Sequence, residues 1–197
     1  MAKVLGRPRE FDLVDAVHRA LDVFWSQGFD ATSLATLASA IGVHKPSLYA
    51  AFGDKRDLYL AAYDAYQRDA GKLVASALGQ GEFREALTAF FAADIELFMA
   101  ADGRGCFMLA TAVPLAHSDE HIAKCVRKAL EALHQAITVR VQQASRDGEL
   151  SRTVEPETAA DLVISTHIAL AGRARSGEAK PSLEQIAKRL IDLLCPG

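Results

Sequence analysis

The chain has 197 residues, half of them hydrophobic and 24% charged, with a formal net charge of −3. That composition excludes a disordered chain and supports a packed core, with room for a small domain joined to a larger one. No apolar run approaches the roughly 18–20 residues of a membrane span, and Met1 to Arg7 lack the apolar stretch of a secretion signal, so a cytoplasmic protein with no membrane partner is expected.

The predicted elements are all helical, taken in chain order. Val14, Val17, Leu21 and Phe24 recur at three- and four-residue steps, which predicts an amphipathic helix from Asp12 to Gln27, capped by Asp12 and ended by Gly28. Leu34 to Ile41 is a second, short helix with Thr32 and Ser33 as candidate caps. After Gly42 a third runs from about Lys45 to Phe52, with Pro46 in its first turn. Asp54 caps a long fourth helix reaching about Leu78. Past Gly79-Gln80-Gly81, the face Phe83, Leu87, Phe90, Phe91, Ile95 and Phe98 predicts a helix from Glu82 to Ala101. Cys106 to Ala116 reads as a buried helix interrupted or kinked at Pro114. Ser118 is the expected cap of the next helix, with Ile122, Val126, Leu130, Leu133, Ile137 and Val141 as its stripe. Pro156 opens a helix to about Arg175, and Ser182 opens the last, to Leu194. No alternating strand-like run appears, so the fold class is all-α. The expected division is residues 1–57 for an N-terminal three-helix domain and 58–197 for a second helical domain.

Charge is distributed unevenly. Lys3, Arg7 and Arg9 form a basic arm, and Lys45, Lys55 and Arg56 cluster around one short helical unit, while Asp12, Asp15 and Asp22 lie on the first helix. Two local basic patches on an acidic chain point to binding by one face. The joint between the second and third helices asks for particular residues. Ala38 allows close crossing, Gly42 allows a positive φ, and Leu37, Ile41, Val43, Leu48 and Ala51 supply apolar contacts. The outer side of the third helix carries donors and small groups suited to a DNA groove. Ser47, Tyr49 and Lys55 suit phosphate oxygens, whereas Lys45 and the Ala50 methyl suit base edges, with His44 beside them.

Phe29-Asp30-Ala31-Thr32-Ser33, Leu34 to Ala38, Gly42-Val43, Pro46-Ser47-Leu48-Tyr49, Phe52, Lys55 and Leu58 together resemble the N-terminal signature of TetR-family regulators, over about Phe11 to Tyr63. The resemblance implies that Leu34 to Ile41 supports and Lys45 to Phe52 recognises DNA, and that Ser47, Tyr49 and Lys55 are phosphate contacts. Ser33 and Pro46 join the DNA-facing set, and Gly6-Arg7-Pro8-Arg9 is similar to the arm some members lay in the minor groove. Ala35, Ala50 and Ala51 are smaller than the base-reading residues of some members, so direct readout is expected to be sparse and DNA shape to matter. The resemblance further implies a homodimer on a roughly palindromic operator, a repressor's role, and a small-molecule effector, apolar or aromatic, bound in the second domain. The small residues Ala159, Ala160, Ala169 and Gly172, with Ile186, Leu190, Leu193 and Leu194, suit either intramolecular packing or a four-helix dimer interface.

Other signals are weaker. Phe90, Phe91, Phe98, Met99, Phe107 and Met108 read either as plain core or as the wall of an effector pocket, with Thr111, Thr166 and His167 as its polar contacts. His117, His121 and Cys125 have a spacing a metal could use, but Ser118 to His121 also reads as a helix start, and no metal or other cofactor is expected. Cys106, Cys125 and Cys195 are expected to be reduced and mostly buried, with redox sensing by one of them as the other reading. No nucleophile–base constellation or phosphate loop appears, so no catalytic residue is assigned and an enzyme is not expected. The alternative function is a helical small-molecule-binding protein that no longer binds DNA.

Overall fold

In a computed structural model of the chain, residues 11–195 are described. Their regular structure is helical throughout, and the chain divides into two compact units, one ending at Tyr66 and the other starting at Gln67.

The first unit holds α1 (Leu13–Gln27), α2 (Leu34–Ile41), α3 (Lys45–Phe52) and the first half of α4 (Lys55–Leu78). Asp12 caps α1 by accepting the backbone N–H groups of Val14 and Asp15. The buried stripe of α1 is Ala16, Ala20, Leu21, Phe24 and Trp25. Val14, expected on that stripe, is 65% exposed, because the first turn lies off the line that the larger side chains follow. Rings join α1 to α4: Phe24 meets Tyr59 edge-on at 5.2 Å and Trp25 meets Tyr66 at 5.1 Å. The Ser33 hydroxyl caps α2, and the buried Thr32 turns its hydroxyl back to the Gly28 carbonyl instead. Gly42 adopts φ 81°, ψ 32°, and its N–H and that of Val43 both donate to the Ala38 carbonyl. This left-handed stop turns the chain so that α3 begins three residues on. Leu37, Ala38, Ile41 and Leu48 are buried in the resulting corner. Asp54 and Asp57 then exchange side-chain and backbone hydrogen bonds to start α4.

The second unit holds α5 (Phe83–Gly103), a π-helical turn (Met108–Ala112), α6 (Val113–Leu115), α7 (Glu120–Asp147), α8 (Pro156–Arg175) and α9 (Lys180–Leu194). Helix α8 packs against α5, α7 and α9. The core between them contains Phe83, Leu87, Phe90, Phe91, Phe98, Ile137, Val163, Leu170 and Leu183, each worth about 1.5–3 kcal/mol of burial. The Glu149 carboxylate accepts the Phe83 N–H at 2.8 Å, and Arg140 donates to the Gly81 carbonyl, which ties the start of α5 to the end of α7.

Several expected boundaries move. Helix α5 continues to Gly103, two residues past Ala101. Cys106 to Ala116 is not one helix buried all round. It widens to a π-turn in which Val113 N–H reaches back to the Met108 carbonyl, and Val113 and Pro114 are exposed. Pro114 has no N–H for the Ala110 carbonyl, so the α register cannot pass through it unchanged. Asp119, not Ser118, caps α7, accepting the N–H groups of His121 and Ile122. On its stripe Leu130 and Leu133 are only half-buried. Helix α9 starts at Lys180 rather than Ser182, with Pro181 in its first turn, and the Ser182 hydroxyl donates to Glu178.

Gly42→Ala puts a methyl group on a left-handed residue with open space around it, and should cost about 1 kcal/mol. Gly105 also has positive φ, +69°, but a Cβ there would sit 2.8 Å from the Ala171 carbonyl oxygen. Gly105→Ala should therefore cost clearly more. Denaturant unfolding, followed by Trp25 fluorescence for the first unit and by circular dichroism for the second, should show that order.

Candidate nucleic-acid interface

Helix α3 separates its two sides cleanly. Leu48 is 2% exposed and faces the corner, while His44, Lys45, Pro46 and Ala50 are exposed, Tyr49 is 50% exposed and Ser47 half-buried. An eight-residue helix is roughly 12 Å long, a length that a DNA major groove accommodates. His44 closes its N-terminus with its backbone carbonyl, which accepts the N–H groups of Ser47 and Leu48. Phe11 lies against Phe52 at the other end, ring centroids 6.3 Å apart. Ser33 is exposed at the start of α2, where its hydroxyl accepts the Thr36 N–H. Arg7 and Arg9 fall outside the described residues.

Lys55 has a second occupation that its sequence position did not announce. Its ammonium donates to the carbonyls of Phe29, at 3.0 Å, and Thr32, at 3.1 Å, and lies 4.2 Å from the centre of the Phe29 ring. It therefore ties the start of α4 to the loop that introduces α2. An ammonium has three N–H groups, so two carbonyl bonds leave one for another acceptor.

The residues expected to line an effector pocket lie in the second unit. Phe90, Phe91, Phe98, Phe107, Met108, Thr111 and His167 are buried, and Met99 and Thr166 half-buried. Ring contacts bring Phe90, Phe91, Phe98 and His167 together. Phe107, Met108 and Thr111 belong to the π-turn region, where the Thr111 hydroxyl is spent on the Phe107 carbonyl. A groove of about 440 Å³ runs between α5 and α9, and of the expected set only Phe91 is among its lining residues, with Ile95, Ala187 and Ile191.

Asp94 carries no motif in the sequence that marks it out. Its carboxylate is buried and lies 2.7 Å from His167 Nδ1. Burial pushes the Asp94 carboxyl above its ordinary value, and His167 pulls against that. Burial also works against a charge on His167, but the Asp94 carboxylate and the hydrogen-bonded Cys106 outweigh it and raise its pKa to about 10. Imidazole is the stronger base of the two, so the pair is held as imidazolium and carboxylate. A signal existed: Asp94 falls on the stripe Leu87, Phe91, Phe98, and His167 on the stripe Val163, Leu170, Ala174, so each is a titratable group on an otherwise apolar face.

Cys106 and Cys195 are buried and Cys125 half-buried, all three as free thiols. His117 and His121 are exposed, and no metal-holding group of His, Cys, Asp or Glu occurs among the described residues. No helix among them is long and apolar enough to cross a membrane.

A short exposed helix fixed to a supporting helix by a left-handed glycine corner is the geometry of a helix-turn-helix DNA-binding domain, here followed by a separate helical unit. The model of the family "Bacterial regulatory proteins, tetR family" matches residues 16–62, and that of the "Tetracyclin repressor-like, C-terminal domain" matches residues 84–190. The chain belongs to the TetR family, and it is a DNA-binding transcriptional regulator. It is 31% identical to the HTH-type transcriptional repressor ComR of Escherichia coli over 194 residues, 97% of this chain and 92% of the relative. It is 30% identical to the uncharacterized HTH-type transcriptional regulator YezE of Bacillus subtilis, over 75% of this chain and 77% of that one. A cysteine-substituted form of the regulator CifR, solved with 26-bp double-strand operator DNA, superposes with a TM-score of 0.85 at 27% identity, covering 96% of this chain and all of the other.

Lys55→Ala should lower the stability of the first unit by about 1–3 kcal/mol, because two backbone carbonyls lose a charged donor. Lys45→Ala, at an exposed position, should leave it unchanged within about 0.5 kcal/mol. Urea titrations read by Trp25 fluorescence compare the two. For His167 the folded pKa of about 10 lies above the unfolded value of 6.5. Its contribution to stability is thus complete below pH 6.5 and is lost as pH rises from 6.5 to 10. Melting curves across that range should fall more steeply for the wild type than for His167→Gln.

Proposed function

We propose that the protein is a homodimeric repressor that binds a roughly palindromic DNA operator and is released by an apolar or aromatic small molecule. The observation that carries this reading is the outward face of α3, with polar and small groups exposed and Leu48 locked inward. In that reading Lys45, His44 and the Ala50 methyl meet base edges. Ser47, Tyr49, Ser33 and the remaining N–H of Lys55 meet phosphates, Pro46 shapes the first turn, and Arg7 and Arg9 enter the minor groove. ComR, named a repressor, and CifR, solved on its operator, support the same role.

One α3 reads too few base pairs for selectivity, which favours two copies. Helix α8 carries an outward line of Asp161, Ser165, Ile168 and Gly172, with Ile168 40% exposed, and Leu193 on α9 is 53% exposed. Such faces suit a symmetric four-helix interface. The effector is assigned to the aromatic cluster around Phe90, Phe91, Phe98, Met99, Phe107 and Met108, with Thr111, Thr166 and His167 as polar neighbours. Helix α4 is unbroken from Lys55 to Leu78, which suits transmission of a shift to the DNA-binding unit. The protein acts by binding rather than catalysis, in the cytoplasm.

The test is titration of the protein into duplex DNA from upstream of its own coding region. Lys45→Ala should relax discrimination at one base position by ~1–3 kcal/mol. Lys55→Ala should weaken specific and random DNA alike and lower the salt slope by about one. Equal weakening on both DNAs by Lys45→Ala would remove it from the base-reading set. Failure of the wild type to prefer any fragment over random DNA would support the alternative of a binding protein without a DNA target.

A further inference from the structure

Helices α5 and α9 pack side by side and antiparallel, and an ion pair marks each end of the seam between them. Arg84 meets Asp192 at 2.8 Å at one end, and Glu96 meets Lys180 at the other. Arg84 to Glu96 and Lys180 to Asp192 are each a step of twelve residues, about 18 Å of helix. Four-residue steps put Arg84, Thr88, Ala92 and Glu96 along the α5 edge, and Lys180, Glu184, Lys188 and Asp192 along the α9 edge. The middle positions do not match. Thr88 and Ala92 are small and uncharged, and the Thr88 hydroxyl is spent on the Arg84 carbonyl. Glu184 and Lys188 have no ion-pair partner on α5 among the described residues. The small residues leave a hollow of about 440 Å³ over a floor of Phe91, Ile95, Ala187 and Ile191.

Charge is unbalanced at both ends of this hollow. Asp192 serves two cations, Arg84 and Lys188, whereas Lys180 serves two carboxylates, Glu96 and Glu184, the latter at 3.9 Å. One end thus keeps a surplus cation and the other a surplus carboxylate. Arg84 is held by both Asp192 and the Cys195 carbonyl, but Lys188 is exposed and uses one of its three N–H groups, on Asp192. Glu184 is exposed as well, and its pair with Lys180 is long. Exposed pairs of this kind are weak, so both groups can turn to a better partner.

We propose that the groove between α5 and α9 is a binding site for an α-amino acid with an apolar side chain. The ligand's carboxylate accepts from Lys188, its ammonium donates to Glu184, and its side chain covers the floor of Phe91, Ile95 and Ile191. Glu184 and Lys188 are one helical turn apart, about 6 Å between Cβ atoms, a gap bridged by a molecule that carries both its charges on one carbon. A singly charged molecule leaves the other surplus unmatched. A second copy of this chain is a poor occupant, because a symmetry mate brings the same concave seam and two hollows enclose a void. Of the aromatic cluster assigned to the effector, only Phe91 borders the groove. The site is therefore separate from that cluster, and the inference does not depend on the repressor reading.

The experiment is calorimetric titration of the full-length protein with L-leucine and two analogues. One is 3-methylbutylamine, which lacks the carboxylate, and the other is 4-methylpentanoate, which lacks the ammonium. L-Leucine should bind roughly tenfold more tightly than either, since each analogue gives up a charge-assisted contact. Lys188→Gln and Glu184→Gln should each weaken L-leucine by about tenfold for the same reason. Ala92→Leu, at an exposed helical position, fills the hollow and should abolish L-leucine binding without lowering the unfolding temperature. L-Leucine binding that survives Ala92→Leu would place the ligand elsewhere and overturn the site. Equal binding of either analogue would overturn the amino-acid class, and a wild type that does not bind L-leucine would overturn the proposal outright.

Discussion

Everything on the DNA side depends on the corner at Gly42. A left-handed residue there stops α2, and two N–H groups close on the Ala38 carbonyl. With Leu37, Ala38, Ile41 and Leu48 packed inside, α3 has one orientation available. Lys55 extends the same constraint, bonding two carbonyls of the loop before α2 from the first residue of α4. Helices α2, α3 and α4 thus share one small set of contacts. A regulator needs this rigidity, since hydrogen bonds to base edges tolerate little angular error.

The second unit has a different organising feature, a charged pair inside an apolar core. Burying either Asp94 or His167 alone would cost several kcal/mol, and the 2.7 Å bond between them offsets that cost without turning the pair into a large stabilising term. What the pair fixes is position. It binds α5 to α8 at one register. The loop after α5 and the π-turn follow Asp94 in sequence, so the least regular backbone of the unit lies near this buried ion pair.

The sequence made local features legible and hid distant ones. The limits of α2, α3 and α8 were readable because Ser33, Gly42, Pro46 and Pro156 act on their own backbone neighbours. The start of α9 was misplaced because Ser182 resembles a cap, while Pro181, in the first turn, shows that the helix has already begun. Lys55 looked like a surface cation, since the carbonyls it bonds lie 26 and 23 residues earlier and carry no side-chain signature. Asp94 was hidden for the same reason: its partner is 73 residues away. The aromatic cluster was visible as composition, but whether its rings close on one another or around a ligand is a matter of tertiary packing, which periodicity does not encode.

The central claim is that two copies of one rigid α3 read a two-fold symmetric DNA site. Selection of bound duplexes from a random-sequence library, followed by sequencing, tests it with no target sequence assumed. The account predicts an enriched inverted repeat whose half-sites are centred about 10 base pairs apart, or farther if two dimers bind together. Enrichment of a single asymmetric half-site, or of no sequence at all, would contradict it.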